Sequence, residues 1–200
     1  NGFDYNRLNL LLAILEKREG LYFSNFYSQE SVGTSSDTEF TFSTSLLPAT
    51  NGTVFVSYWD REYTSIQKLL NAKNYYTFSM HANKGNFWNR EVMHKNLGYK
   101  KFYNYTNDYT INEENVIGLG LNDKEFFKQS VEIMKKINNQ YDKWYGVEIM
   151  LTNHTPFEGL EDKTDLDLTY HYTRQNPDGT QTEVVNDYLK DKVLGRYFTT

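Results

Sequence analysis

The chain has 200 residues, with 21 Lys and Arg against 26 Asp and Glu, a net charge of −5. That balance lacks the basic footprint of a general nucleic-acid binder. The absence of cysteine excludes a disulfide scaffold, a thiol nucleophile and a Cys-ligated zinc site, and it fits an extracytoplasmic bacterial protein.

Leu8, Leu11, Leu12 and Leu15 fall at i, i+3, i+4 and i+7, the stripe of an amphipathic helix that Gly20 would close. Leu21 to Tyr27 is aromatic and β-prone and reads as a strand. A Ser/Gly/Thr-rich turn follows at Ser31 to Ser36. From Asp37 the pattern suits a helix ending before Pro48. Ser65 to Leu70 reads as a helix with Ile66, Leu69 and Leu70 inward. Tyr75 to Met80 reads as a strand, and Asn89 to Leu97 as a short helix closed by Gly98. Asp123 to Asn138 is a strong helical pattern, with Asp123 as N-cap and Phe127, Val131 and Met134 as its buried stripe. Trp144 to Leu151 reads as a buried strand. Thr152 to Thr182 is polar, contains Pro177-Asp178-Gly179, and reads as loop with short elements. Val184 to Tyr197 reads as a final helix.

Strands alternating with helices predict an α/β fold with a mostly parallel sheet and flanking helices. Ligands in such folds gather at the carboxyl ends of the strands. Three loops are then brought together: the turn after Tyr27, the loop after Met80 and the loop after Leu151.

The first loop offers Thr34 and Ser35 before a helix. A hydroxyl there can attack phosphorus, with free N–H groups and the helix dipole stabilising an anion. The plainer alternative is that these residues only cap the helix. The second, His81 to Arg90, collects an imidazole, an indole and a guanidinium. Arg suits bidentate phosphate contacts, and Trp88 suits the carbon face of a polyol. Alternatively Phe87 and Trp88 pack in the core while Arg90 caps a neighbour. The third, Thr152 to Phe157, places His154 beyond a strand end. His94 and His171 read as structural. The aromatic content, 16% with 17 Tyr, suits a glycan surface but also fits a simple compositional bias.

Several segments in order resemble the extracellular catalytic domain of lipoteichoic acid synthases, of the sulfatase-like branch of the alkaline phosphatase superfamily. They are Leu21 to Tyr27, Ser35-Ser36-Asp37-Thr38-Glu39-Phe40, Phe87-Trp88-Asn89-Arg90 and Leu151-Thr152-Asn153-His154-Thr155-Pro156-Phe157. The resemblance implies transfer of glycerol phosphate from the phosphatidylglycerol head group to a teichoic-acid or cell-wall glycan acceptor. It implies a covalent intermediate on a metal-bound hydroxyl, here Ser35 by register or Thr34 beside it, with Mn2+ the expected ion. It implies that His81, Trp88, Arg90 and His154 hold the phosphoglycerol, with Asn83 where some relatives carry Asp. It also implies an outward-facing domain held at the cell membrane by a segment outside this chain.

The family's other metal ligands, a Glu upstream and an Asp-His pair downstream, have no counterpart in these 200 residues. The chain is therefore expected to be the central part, residues 1–200, of one sulfatase-like domain, inactive by itself. Two alternatives stay open. One is a sulfatase or phosphoethanolamine transferase, although no Cys/Ser-x-Pro/Ala-x-Arg motif follows the first strand. The other is a non-catalytic glycan-binding module.

Overall fold

The computed structural model describes Asn25 and residues 27–157 and 169–186. The expected helix at Leu8 to Leu15 lies outside these residues, and the strand Leu21 to Tyr27 lies almost wholly outside them. The described residues fall into two compact units, one comprising Ser28–His154 and the other containing the hairpin at 170–186.

The larger unit is an α/β layer around three parallel strands. Helix α1 spans Ser35–Thr44, α2 Val54–Ser57 and α3 Ile66–Asn71. Strand β1 is Tyr76–His81, followed by a 3-10 turn at Phe87–Asn89, helix α4 at Arg90–Leu97 and strand β2 at Lys101–Asn104. A two-residue ladder follows, β3 Val116–Ile117 with β4 Gly120–Leu121. Helix α5 is Asp123–Gln140 and β5 is Trp144–Ile149. The sheet order is β2-β1-β5, with both pairings parallel and His81 opposite Asn104 on one side and Ile149 on the other. The expected mostly parallel sheet with flanking helices is therefore present.

Central strand β1 explains the layering. Its side chains alternate faces, as the period of two requires. Phe78 and Met80, with Ala82 just beyond the strand, join the core made with Tyr109, Leu121, Phe126, Ile137 and Leu151. Thr77, Ser79 and His81 point the other way, yet all three are buried. A second core, Phe40, Val54, Phe55, Met93, Leu97 and Tyr99, is built from α1, α2 and α4 and the residues next to them. The polar face of β1 carries the candidate site.

Several boundaries and faces differ from the sequence reading. Helix α5 is capped by Asn122, whose Oδ1 accepts the Glu125 N–H at 3.0 Å, and Asp123 is the first helical residue. Asp123 instead accepts the Leu151 and Thr152 N–H groups at 2.8 and 3.2 Å, tying the helix start to the loop after β5. The buried stripe of α5 is Phe126, Ser130 and Ile137, while Phe127 and Val131 are exposed. Tyr109 donates to or accepts from Ser130 Oγ at 3.0 Å, which makes a polar position buriable and rotates the stripe by one residue. In α3 the buried residue is Gln67, not Ile66 or Leu69. Gln67 donates to Ser43 Oγ at 3.1 Å, and Ser65 at the helix start donates to the Leu97 carbonyl, so polar contacts orient this short helix. In the smaller unit β6, Tyr170–Gln175, pairs antiparallel with β7, Gln181–Asn186, through the Pro177-Asp178-Gly179 turn. Val184 to Asn186 are thus strand rather than helix; the rest of that expected helix lies outside the described residues. No helix among the described residues is long and apolar enough to cross a membrane.

Candidate functional site

The corner before α1 is held by a carboxylate. Asp37 Oδ2 accepts the Ser31 and Gly33 N–H groups at 2.8 and 3.0 Å. Ser36 is buried and donates to the Gly33 carbonyl at 2.8 Å while pairing with Thr53 Oγ1 at 3.1 Å. Gly33 is required by closeness: a Cβ there would lie 2.3 Å from Asp37 Oδ1 and 2.5 Å from Thr53 Oγ1. Gly33→Ala should cost about 1–3 kcal/mol of stability, as overpacking does, read as a lower urea midpoint at unchanged slope. An unchanged midpoint would show that the corner is looser than this.

This clamp leaves Thr34 and Ser35 exposed at the helix start. Thr34 is the N-cap residue with φ 44° and ψ −109°, an unusual backbone for a β-branched residue, of the kind that costs roughly 1–3 kcal/mol. Its carbonyl accepts the Asp37 and Thr38 N–H groups. Ser35 is the first helical residue. The Ser36, Asp37 and Thr38 N–H groups are bonded to the Gly33 and Thr34 carbonyls, so it is the positive end of the helix dipole that favours negative charge at its hydroxyl.

One turn along α1 from Ser35, on the same face, is Glu39, about 6 Å away between Cβ atoms as i, i+4 spacing dictates. Glu39 receives Arg90 of α4. Arg90 Nε donates to Oε1 and Oε2 at 3.0 and 3.1 Å, and Nη2 donates to Oε1 at 2.6 Å. Arg90 is 1% exposed and Glu39 14%. His94, one turn beyond Arg90, lies with Nε2 2.9 Å from Glu39 Oε2 and Nδ1 2.8 Å from Ser79 Oγ on β1. Burial alone would raise the Glu39 pKa. The His94 hydrogen bond, then the Arg90 charge and hydrogen bonds, outweigh it and hold Glu39 at about 2. His94 is thus a buried member of the fold, in keeping with its structural reading. Arg90 faces Glu39 along one edge rather than standing open to solvent, and Phe87, 36% exposed, and half-exposed Trp88 do not pack in the core.

His81 ends β1 beside this network. Its Nδ1 lies 2.9 Å from the Ile149 carbonyl, an acceptor only, so Nδ1 carries the hydrogen. Nε2 is left as a buried acceptor without a partner among the described residues. Burial, then the Arg90 charge, lower the His81 pKa to about 4, with the Ile149 bond and Glu39 opposing in part. The ring is therefore neutral near pH 7 and offers a lone pair to a hydroxyl. The unfolded chain takes up a proton at this His near pH 6.5 and the folded chain only near 4. Stability should therefore be intact above pH 6.5 and fall by up to about 3 kcal/mol as pH drops to 4. Glu39 adds a further loss below pH 4.5, down to about 2. His81→Gln should flatten the upper limb in urea titrations. An unaltered limb would contradict a neutral buried His81.

The other candidate residues are placed as follows. Asn83 is buried, its Oδ1 accepting the Lys84 N–H at 2.7 Å and its carbonyl the Tyr105 N–H at 3.0 Å. Trp88 and Asn89 both have φ 55°, and Asn89 donates to the Phe55 carbonyl at 2.8 Å. His154 is exposed in the loop after β5, where its N–H donates to the Thr152 carbonyl at 2.9 Å. That loop leaves the sheet at the end His81 occupies, because Ile149 is paired with His81. The structure thus groups Ser35, Glu39, Arg90, His94, Ser79 and His81, and puts His154 at the same sheet end. Glu39 and Ser79 are the members that sequence reasoning does not single out. The signals for them are the i+4 spacing from Ser35 and the polar alternation of β1.

Among the described residues, no three His, Cys, Asp or Glu side chains converge as a metal site. Around Ser35 they offer hydroxyls, and the Asp37 carboxylate is engaged by the backbone through Oδ2. This set alone does not fit a divalent cation.

A family model described as Sulfatase matches residues 2–196. The chain belongs to the sulfatase family. It is 38% identical over 197 residues to lipoteichoic acid synthase 2 of Bacillus subtilis, covering 92% of this chain and 30% of that protein. It is 40% identical over 183 residues to the lipoteichoic acid synthase of Staphylococcus saprophyticus, covering 86% and 28%. This sulfatase-family chain thus spans less than a third of the curated relatives it matches. The crystal structure of the lipoteichoic acid synthase LtaP from Listeria monocytogenes superposes with a TM-score of 0.73 at 28% identity, over 90% of this chain and 39% of that one. A Vibrio parahaemolyticus protein of the alkaline phosphatase superfamily, at TM-score 0.60 and 19% identity, shares the fold. Both the resemblance to lipoteichoic acid synthases and the α/β fold are thereby established. Sulfatase and alkaline phosphatase superfamily members generally use divalent metals.

Proposed function

We infer that the full-length protein containing this chain transfers glycerol phosphate from the phosphatidylglycerol head group to a teichoic-acid or cell-wall glycan hydroxyl. The observation that carries this reading is the pairing, on one face of α1, of the exposed Ser35 hydroxyl with Glu39 and its buried Arg90. A hydroxyl one helical turn from a carboxylate that holds a buried guanidinium suits phosphoryl chemistry better than a binding surface does. Relatives named lipoteichoic acid synthases support the substrate class.

In the first half-reaction Ser35 Oγ forms a bond to phosphorus and loses its proton to solvent. The bond from phosphorus to the diacylglycerol oxygen breaks, and that oxygen leaves as the protonated alcohol. In the second half-reaction an acceptor hydroxyl forms a bond to the same phosphorus, and Ser35 Oγ leaves and regains a proton. The N terminus of α1 and the Arg90 charge stabilise the phosphate oxygens as negative charge builds. His81 Nε2 accepts a glycerol hydroxyl, Trp88 lies against the glycerol carbons, and Asn83 and His154 complete the substrate shell. A divalent cation, with Mn2+ the ion to test, would draw the Ser35 or Thr34 hydroxyl from the described residues. The relatives' names support a site of action at the Gram-positive cell envelope.

The test is release of diacylglycerol from phosphatidylglycerol by the full-length protein, with labelled glycerol phosphate appearing on a glycan acceptor. Release of sulfate from sulfate esters, or of ethanolamine phosphate from its lipid, without glycerol phosphate transfer would overturn the reading.

A further inference from the structure

A guanidinium has two edges able to grip an oxyanion pairwise, one formed by Nε and a terminal nitrogen and one by the two terminal nitrogens. In this fold the first edge is closed by Glu39. On the second edge, Nη1 donates one hydrogen to the Phe87 carbonyl at 3.3 Å and Nη2 donates one to Glu39. Each terminal nitrogen therefore keeps one hydrogen without an acceptor among the described residues. With Arg90 1% exposed, solvent does not decide which edge faces which way; its partners do.

The partners form a chain. Glu39 Oε2 is shared between Arg90 Nε and His94 Nε2. His94 Nε2 carries a hydrogen toward Glu39, since a carboxylate only accepts, and Nδ1 meets Ser79 Oγ. Ser79 is fixed in the central strand of the sheet and is fully buried. The carboxylate is thus anchored to β1 through a histidine that makes both of its ring contacts inside the protein.

We propose that Glu39 is a positioning residue for Arg90: anchored by His94 and Ser79, it takes the Nε edge so that the Nη1–Nη2 edge meets the phosphate of the glycerol phosphate donor. This deepens the reading above and rests on it. Glu39 touches no substrate; it acts through the guanidinium.

The experiment is a double-mutant cycle in the full-length protein, E39Q, R90K and the double variant, read in transfer kinetics and thermal melting. The amide introduced by E39Q is an isostere of the carboxylate with one acceptor fewer: with its oxygen in the Oε1 position, its nitrogen meets Arg90 Nε and His94 Nε2. Should E39Q not fold, E39D replaces it, because it keeps the buried charge while withdrawing the carboxylate by one methylene. The expected result is a fall in kcat of about tenfold or more for E39Q, with KM changed much less, of the size seen when a supporting hydrogen-bond partner is removed. In the R90K background the same change should alter kcat by less than about twofold, because the edge being positioned is gone. Equal effects in both backgrounds would overturn the proposal and leave the transferase reading intact. If the full-length wild type transfers nothing, that reading falls. The cycle is then read in the affinity for inorganic phosphate: weakening by E39Q only where Arg90 is present supports the positioning role, and equal weakening or none refutes it.

Discussion

Ser35→Ala in the full-length protein should reduce glycerol phosphate transfer to background, a fall of about 10⁴-fold or more in kcat, while Thr34→Ala costs less than about tenfold. The asymmetry follows from where the clamp at Asp37 puts each hydroxyl. Ser35 is the first residue of α1 and is exposed, with Glu39 one turn along the same face and Arg90 of α4 bonded to that carboxylate. Thr34 is the residue that turns the chain into the helix at φ 44°, and its carbonyl is already used by two helical N–H groups. Its side chain is attached to the corner rather than to the helix face that carries Glu39. Thr34→Gly, which relieves the positive φ, should raise stability or leave it unchanged while retaining transfer. The comparison is made by initial rates on a labelled lipid. A larger loss for Thr34→Ala than for Ser35→Ala would move the nucleophile to Thr34.

Arg90→Ala should have the second large effect, and on two properties at once. Removing the guanidinium leaves the Glu39 carboxylate buried with only His94 for a partner, and breaking a buried pair from one side typically costs about 3–5 kcal/mol. Transfer should also disappear, because a contact that strengthens at the transition state is worth about 2–4 kcal/mol. Loss of activity in the single variant is therefore ambiguous. The Glu39→Ala, Arg90→Ala double variant separates the causes, since it removes both charges. Urea unfolding should show part of the stability regained, and the kinetic assay should show no transfer regained. A double variant that transfers at wild-type rates would show that Arg90 acts only in folding.

The parts of the fold legible from sequence are those whose local pattern and tertiary role agree. The run Tyr76 to His81 alternates apolar and polar residues, and the protein uses both faces, Phe78 and Met80 for one core and Ser79 and His81 for the polar network. Gly98 closes α4 at φ 98°, as a glycine after a helical run should. The stripe of α5 was less legible because its decisive inward residue is Ser130, a polar residue buried by its bond to Tyr109. Periodicity of apolar residues points instead to Phe127 and Val131, which are exposed. The same holds for Gln67 in α3. The hydroxyl corner and Arg90 were legible as chemistry, but the orientation of Arg90 was not. Nothing in the spacing of Glu39 and Arg90, 51 residues apart, announces that they meet. The β6–β7 hairpin was hidden by its polar composition, since an exposed hairpin has little apolar alternation to reveal it.

The measurement closest to the central claim is peptide mapping by mass spectrometry of the full-length protein quenched during turnover of phosphatidylglycerol with acceptor withheld. A glycerol phosphate adduct should appear on the peptide carrying Ser35, at Ser35, and should vanish when a glycan acceptor is added. An adduct confined to another residue, or turnover at full rate with no adduct at any residue, would contradict a serine at the start of α1 as the group that carries the phosphate.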